Sequence, residues 1–331
     1  MKRSLLLALT VCMAVFGLSS QAMAAKKIVV KCTSYYAPSH PVSQSMEFFK
    51  EMLEKESDGR FQVQYYPNNQ LGPEEVFIDQ VKRGTIQIAI SGSIPKKDEI
   101  RLNLVEPPFV IESWKQAYAA YNGPIGEMVK GDYHKNTGTK IFGFLVNGFR
   151  EISSSKPATN MEELGKLKLR VPTTDLYVNM FKGFGCNTVM MPMSEVYNAL
   201  ETKVVDGQDN PYPTVVASGW WEVQKYLLES RHMFTANLVL LNGKWHDGLS
   251  DDDRAVFDKC LKATVDHNWK ISEEADANAR KFLEEKGLQI HVPSPEFRQQ
   301  MKDSLKDFYE WFYETVPGSR EIIAEMDKLP K

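Results

Sequence analysis

Cysteine is scarce in this 331-residue chain. There are four in all, and Cys12 falls in an apolar N-terminal stretch that reads as a leader. Cys32, Cys186 and Cys260 remain, too few for a disulfide framework and enough for one bridge at most. The common catalytic and metal signatures are missing too. The chain has no P-loop, no paired Cys-x-x-Cys, no His-Glu-x-x-His and no Gly-x-Ser-x-Gly. Its six histidines, His40, His134, His232, His246, His267 and His291, are scattered without ligand spacing. No metal and no cofactor are expected, and an enzyme is disfavoured.

An excess of positive charge is lacking as well. The 40 basic residues include Lys2 and Arg3; without these two, 38 stand against 43 acidic ones, a formal charge of −5. That balance offers nothing to nucleic acid or to an acidic membrane surface. Past Leu18 no apolar run is long enough to span a bilayer.

The leader itself is well formed. Lys2 and Arg3 precede an apolar run from Leu5 to Leu18, and Ala22 and Ala24 supply small residues before a cut placed after Ala24. Residues 1–24 are therefore expected to be a cleaved secretory signal peptide and the mature chain to be periplasmic. A lipoprotein signal at Cys12 is disfavoured because Val11 is large where a small residue is wanted. The mature chain exceeds the size at which one core keeps growing, which favours two domains.

Strand and helix patterns alternate along it. "KIVVKC" reads as a strand, and the helix that follows carries Val42, Met46, Phe49 and Leu53 on one face, with Pro41 near its start. "FQVQYYP" alternates as a strand, "PEEVFIDQVKRG" reads as a helix closed by Gly84, and "TIQIAISGS" as a strand running into a loop. A second set starts at "KIFGFLVNGFR" and continues through "KLKLRVP", "DLYVNMFKGFG", "NTVMMP" and a helix from Ser194. The fold class expected is α/β with crossover connections. In such sheets the carboxyl ends of strands face the ligand crevice, which places the Ser91–Ser93 loop, Arg150 and Arg170 there. Glu74, Glu75 and Glu195 fit helix-dipole roles.

A long helix is expected from Ser250 to Lys286, with Ser250 as N-cap, Asp251–Asp253 in the first turn and Gly287 at the stop. The alternative is two helices broken near "HNWK". A last amphipathic helix is expected over "FRQQMKDSLKDFYEWFYETV", burying Phe297, Met301, Leu305, Phe308 and Phe312. "VVDGQDNPYP", Val204–Pro213, reads as a turn, either on the surface or in a cleft. Arg170 occupies an apolar strand, where a buried guanidinium requires an anion. An internal carboxylate and a bound one would both serve.

"GKLKLRVP" followed by "PMSEVYNALETKVVDGQDNP" resembles the paired signature of the solute-binding subunits of TRAP (tripartite ATP-independent periplasmic) transporters, the DctP-type family. "YYPNNQLGPEE", "VKRGTIQIAIS" and "NGFREISSSKPATNMEELGKLKLRVP" follow the family's order, so the resemblance covers the mature chain. It implies a two-domain periplasmic binding protein fold with hinge strands and a long helix running along both domains. The domains would comprise 25–148 with about 236–275, and 149–235 with about 276–331, the ligand cleft lying between them. It also implies that Arg170 grips a ligand carboxylate, that Arg150 assists, and that Asn210 donates to the ligand from a cleft-facing turn.

The departures bear on ligand choice. Met193 stands where some sialic-acid binders have Phe, Asp209 replaces the commoner Glu, and Cys186 follows Gly185 where Ala is usual. The Ser91–Ser93 loop also lacks the acidic residue associated with sialic acid, so that ligand is not carried over. The expected function is capture of a small organic acid, preferably a sugar acid, and its delivery to the TRAP integral-membrane permease subunits by a monomer. Ser91, Thr173 and Tyr35, with Tyr36, would bind the remaining polar groups, and Asp175 is expected to serve its helix N-terminus. A C4-dicarboxylate, whose second carboxylate Arg150 would take, is the near alternative. A ligand-presenting sensor partner and an extracytoplasmic enzyme acting on organic acids are the more distant ones.

Overall fold

The computed structural model describes residues 27–92 and 94–331; the leader and its cleavage point lie outside them. The first half of the chain runs β1 (Ile28–Ser34), α1 (Pro41–Glu56), β2 (Phe61–Tyr66), α2 (Glu74–Arg83) and β3 (Ile88–Ser91). Then α3 (Trp114–Tyr121), α4 (Pro124–Lys130) and α5 (Tyr133–Thr137) lead into the long strand β4 (Thr139–Ser154). The second half runs α6 (Met161–Gly165), β5 (Lys168–Val171), α7 (Asp175–Gly183), β6 (Asn187–Met190), α8 (Val196–Glu201), β7 (Gly207–Asn210) and α9 (Tyr212–Ala217) before the second long strand, β8 (Tyr226–Asn242). The remainder is α10 (Gly243–Asp247), α11 (Asp251–Glu285), β9 (Gln289–His291), α12 (Pro295–Asp303), α13 (Lys306–Thr315) and α14 (Ser319–Asp327). No helix among the described residues is long and apolar enough to cross a membrane.

One sheet runs through the molecule in the order β2-β1-β3-β8-β4-β7-β5-β6, with β9 beside β8. β1 lies parallel to β2 and β3 at one end, and β5 lies parallel to β6 and β7 at the other. The long antiparallel pair β4 and β8 joins the two ends, so each end with its helices forms a lobe and the pair crosses between them. Their register shifts between Val146 and Gly148, where Asn147 is the extra residue, and again between Arg150 and Ile152. Such bulges bend a strand and re-aim side chains. Gly148, at φ +116°, holds a backbone geometry that side chains disfavour, in the middle of this crossing.

The long helix is continuous. Ser250 accepts from the Asp253 amide at 3.2 Å, and three aspartates occupy the positive end. Its 35 residues span about 52 Å. Phe257, Cys260 and Leu261 pack into one hydrophobic cluster, and Ala279 and Leu283 into a second, with Trp220 and Val196. One continuous helix therefore serves both lobes. Because the cap lies far from the cleft, Ser250→Ala is expected to cost about 1 kcal/mol of stability. Chemical denaturation should show that loss, with ligand affinity unaltered.

Four expectations change. Val204–Pro213 turns only at its start: Val204–Asp206 bend away from α8, and Gly207–Asn210 then form the buried strand β7, paired with β4 and β5. Its polar side chains tolerate burial because neighbours pair with them, Gln208 with Ser153 and Asp209 Oδ2 with Arg150, while Asp209 Oδ1 has no hydrogen-bond partner among the described residues. Arg150 lies inside β4 and not at a strand end, since β4 continues across the lobe junction to Ser154. The final amphipathic segment is two helices, broken at Ser304–Leu305, and α14 follows it; the five residues expected to be buried are buried nonetheless. The helix expected from Ser194 opens as a 3-10 turn over Met193–Glu195.

Candidate functional site

The cleft between the lobes holds a small cavity of about 40 Å³. Of the residues singled out by sequence, Tyr35, Arg150, Arg170, Thr173, Met193 and Asn210 line it. Ser91 does not. At the end of β3 it stands behind the wall, its hydroxyl donating to Glu74 Oε1 at 2.5 Å, and the Gly92 amide donates to the same oxygen at 2.9 Å. Glu74 reaches back from the first turn of α2, so this loop is held by a carboxylate that also faces the cleft. Asp175 opens α7 and is not among the lining residues.

Arg170 is the third residue of β5 and 4% exposed. Its Nε and Nη2 donate to the Met191 carbonyl at 3.0 and 2.8 Å. No described carboxylate forms an ion pair with it, and the other side of its planar fork faces the cleft. Burial lowers its pKa to about 10, Asp209 opposes that shift and neighbouring Arg150 adds to it. A cation held this way is satisfied best by an anion arriving in the cleft.

Arg150 is in the opposite condition. Its Nε lies 2.5 Å from Asp209 Oδ2, and Nη2 donates to the Asp209 carbonyl. Its guanidinium also lies over the Tyr177 ring, 4.8 Å from the centroid. Burial works against the charge of both partners, but their mutual attraction outweighs it, holding Arg150 above and Asp209 below their ordinary pKa values. His232 Nε2 lies 3.3 Å from Asp209 Oδ2, and its Nδ1 lies 2.7 Å from the Ser230 hydroxyl. The internal carboxylate weighed for Arg170 is thus found on Arg150.

The remaining wall is rich in hydrogen-bond acceptors. Tyr35 and Tyr36 both donate to Asn237 Oδ1, at 3.0 Å each, so their oxygens meet the cleft with lone pairs. Glu106 pairs with Lys96 and accepts from the Tyr177 hydroxyl at 2.8 Å, a bond that spans the two lobes. Asn210 donates through Nδ2 to Gln208 Oε1 at 2.7 Å, which fixes its amide at the end of β7.

Sequence reading missed Glu106, Asn147, Tyr177, Thr235 and Asn237, all in the lining. Thr235 and Asn237 carried a signal: two polar residues at alternate positions in the otherwise apolar "MFTANLVLL". Asn147 stood in the quoted "NGFR", beside Arg150. Glu106 and Tyr177 had none, since neither breaks a local pattern. Among the described residues no three His, Cys, Asp or Glu side chains converge as metal ligands. Cys32, Cys186 and Cys260 are buried free thiols.

Comparison with known proteins adds family context. The family model described as bacterial extracellular solute-binding protein, family 7, matches residues 33–315. A TRAP periplasmic solute-binding protein from Haemophilus influenzae, solved with bound L-gulonate, is 30% identical with a TM-score of 0.86, covering 91% of this chain and 99% of that one. The sugar-acid-binding protein DctPAm from Advenella mimigardefordensis, in complex with galactonate, is 29% identical with a TM-score of 0.86 and the same coverage. The C4-dicarboxylate-binding periplasmic protein DctP of Vibrio cholerae is 28% identical over 84% of this chain and 83% of its own.

Proposed function

The chain belongs to the bacterial extracellular solute-binding proteins of family 7, which serve TRAP transporters, and from that membership we propose that its ligand is a hydroxylated monocarboxylate, a sugar acid. It takes the acid into the cleft, with Arg170 as the carboxylate clamp, and passes it as a monomer to the integral-membrane permease subunits. The observation that carries this reading is the uneven chemistry of the cleft. Arg170 is a buried cation that forms no ion pair among the described residues, with Asp209 acting on it only from a distance, whereas Arg150 is paired directly with Asp209. Facing them are the oxygens of Tyr35 and Tyr36 and the carboxylates of Glu74 and Glu106. Acceptors of that kind suit ligand hydroxyls, which can donate, and repel a second carboxylate.

Arg150, Asn210, Thr173 and Met193 complete the proposed contacts, and Ser91 acts through Glu74. The gulonate and galactonate held by the two solved relatives agree with this class of ligand. A C4-dicarboxylate is the second reading, favoured by the presence of two arginines in one cleft. Secretion through the leader, with cleavage after Ala24, belongs to the same proposal. So do the domain limits, 25–148 with 236–275 and 149–235 with 276–331. The pairing of Gly148 with Thr235 supports the crossing there. The last helix is better assigned to the first domain: α14 packs on α4, and Gln116 of α3 donates to the Met326 carbonyl at 3.1 Å.

Thermal unfolding of ligand-stripped protein against a panel of acids tests the choice. A ligand at a hundred times its dissociation constant adds about 2.7 kcal/mol, enough to raise the midpoint by several degrees. Galactonate or gulonate should produce that rise and succinate should not. A rise with succinate alone would transfer the assignment to the dicarboxylate.

A further inference from the structure

Asn147 is the bulge residue of β4, at the floor of the cleft where β4 and β8 cross. Its amide is set by a chain of hydrogen bonds from groups that do not line the cleft. His40, the N-cap of α1, is buried, and its Nδ1 accepts from the Val42 amide at 3.2 Å. Burial holds the imidazole neutral, its pKa lowered to about 3 against an opposing effect of Asn147. A neutral imidazole has one donor and one acceptor nitrogen. With Nδ1 accepting, Nε2 carries the proton and donates to Thr214 Oγ1 at 3.1 Å. The single hydroxyl proton of Thr214 is then committed to Asn147 Oδ1, at 2.9 Å.

The amide has no freedom left: Oδ1 is turned back toward Thr214 and Nδ2 to the other side. No acceptor for Nδ2 is found among the described residues. His40 belongs to the first lobe and Thr214, on α9, to the second, so the relay is assembled where the lobes meet.

We propose that Asn147 is a specificity-determining residue whose Nδ2, aimed by the His40–Thr214 relay, donates to a hydroxyl oxygen of the bound acid. The proposal rests on the sugar-acid reading and adds a donor to a cleft otherwise rich in acceptors. A ligand group that can only donate, such as an ammonium replacing that hydroxyl, is rejected, because the Nδ2 hydrogens then face it without an acceptor. His40 and Thr214 are positioning residues and touch no ligand atom.

Calorimetric titration of galactonate and its monodeoxy analogues into wild type, Asn147→Ala, Thr214→Val and Thr214→Ser tests it. In wild type, removal of the hydroxyl that Asn147 serves should cost about tenfold or more in affinity. In Asn147→Ala and Thr214→Val that one penalty should vanish while penalties for the other hydroxyls persist, and Thr214→Ser should restore it. A merely structural role for Thr214 would lower affinity for every analogue alike. Should Asn147→Ala not fold, Asn147→Leu keeps the side-chain volume and offers the hydroxyl neither donor nor acceptor, and it carries the same test. The proposal is overturned if every monodeoxy penalty in the Asn147 variant equals that in wild type. Failure of the underlying reading looks different: wild type then does not bind galactonate, or Arg170→Ala binds it unchanged.

Discussion

Arg170→Ala is expected to weaken sugar-acid binding by about 2–5 kcal/mol, the range seen when one member of a buried, hydrogen-bonded charge pair is truncated. That is roughly a thirty- to several-thousand-fold rise in Kd. The magnitude follows from the way the guanidinium is held. It is 4% exposed and oriented by two bonds to the Met191 carbonyl, without an ion pair among the described residues. The ligand carboxylate then finds a cation already desolvated and in place, so little ordering cost remains to be met at binding.

The same variant should leave the ligand-free protein at least as stable as wild type, because an uncompensated buried charge has been removed. The two readouts together separate a clamp from a structural residue: calorimetry should show a large loss, and denaturant unfolding of the apo protein should show none. A stability loss equal to the affinity loss would mean that Arg170 holds the fold and not the ligand.

Asp209→Ala should have the opposite profile, with a stability loss of about 3–5 kcal/mol in the ligand-free protein, since it strands Arg150 as a buried unpaired charge. Asp209 also predicts how stability depends on pH. Its carboxyl is held well below its usual value of about 3.9, burial being outweighed by Arg150 and the bond to His232. A carboxylate with a depressed folded pKa contributes stability that is complete above its unfolded pKa and is lost as pH falls through the folded one. His232 acts in the same direction. Burial lowers its pKa, so the unfolded chain takes up a proton more readily as pH drops below about 6.5. Buried Glu151 and Asp276, whose pKa values burial raises, act the other way between about pH 7 and pH 4, so the stage that belongs to Asp209 is the one below about pH 4, and it should shrink in Asp209→Ala. Denaturation midpoints measured from pH 7 to pH 3 give both results; an unaltered midpoint at pH 7 would contradict the pairing.

Much of the cleft was legible before the fold because its residues break local patterns. Arg170 is a charge in a strand that should be apolar, and Ser250 with three aspartates marks the start of the long helix, though a cap says nothing of its continuity past "HNWK", which stayed open. The strand β7 was misread for a physical reason: Asp-Gly and Asn-Pro are ordinary turn dipeptides, and only partners distant in the chain, Arg150 and Ser153, make those polar groups tolerable inside a sheet. The break at Ser304 was invisible because the apolar spacing runs through it undisturbed. Glu106 and Tyr177 reach the cleft from opposite lobes and meet only after folding, so no local signal could mark them. The contrast between a matched Arg150 and an unmatched Arg170 likewise depends on where Asp209 falls in space, which composition leaves undetermined.

A crystal structure of the protein with galactonate tests the clamp most directly. The account predicts the ligand carboxylate within hydrogen-bonding distance of the Arg170 guanidinium and the hydroxyl groups turned toward Tyr35, Tyr36 and Glu106. A carboxylate seated elsewhere, with Arg170 still bonded only to Met191, would contradict it.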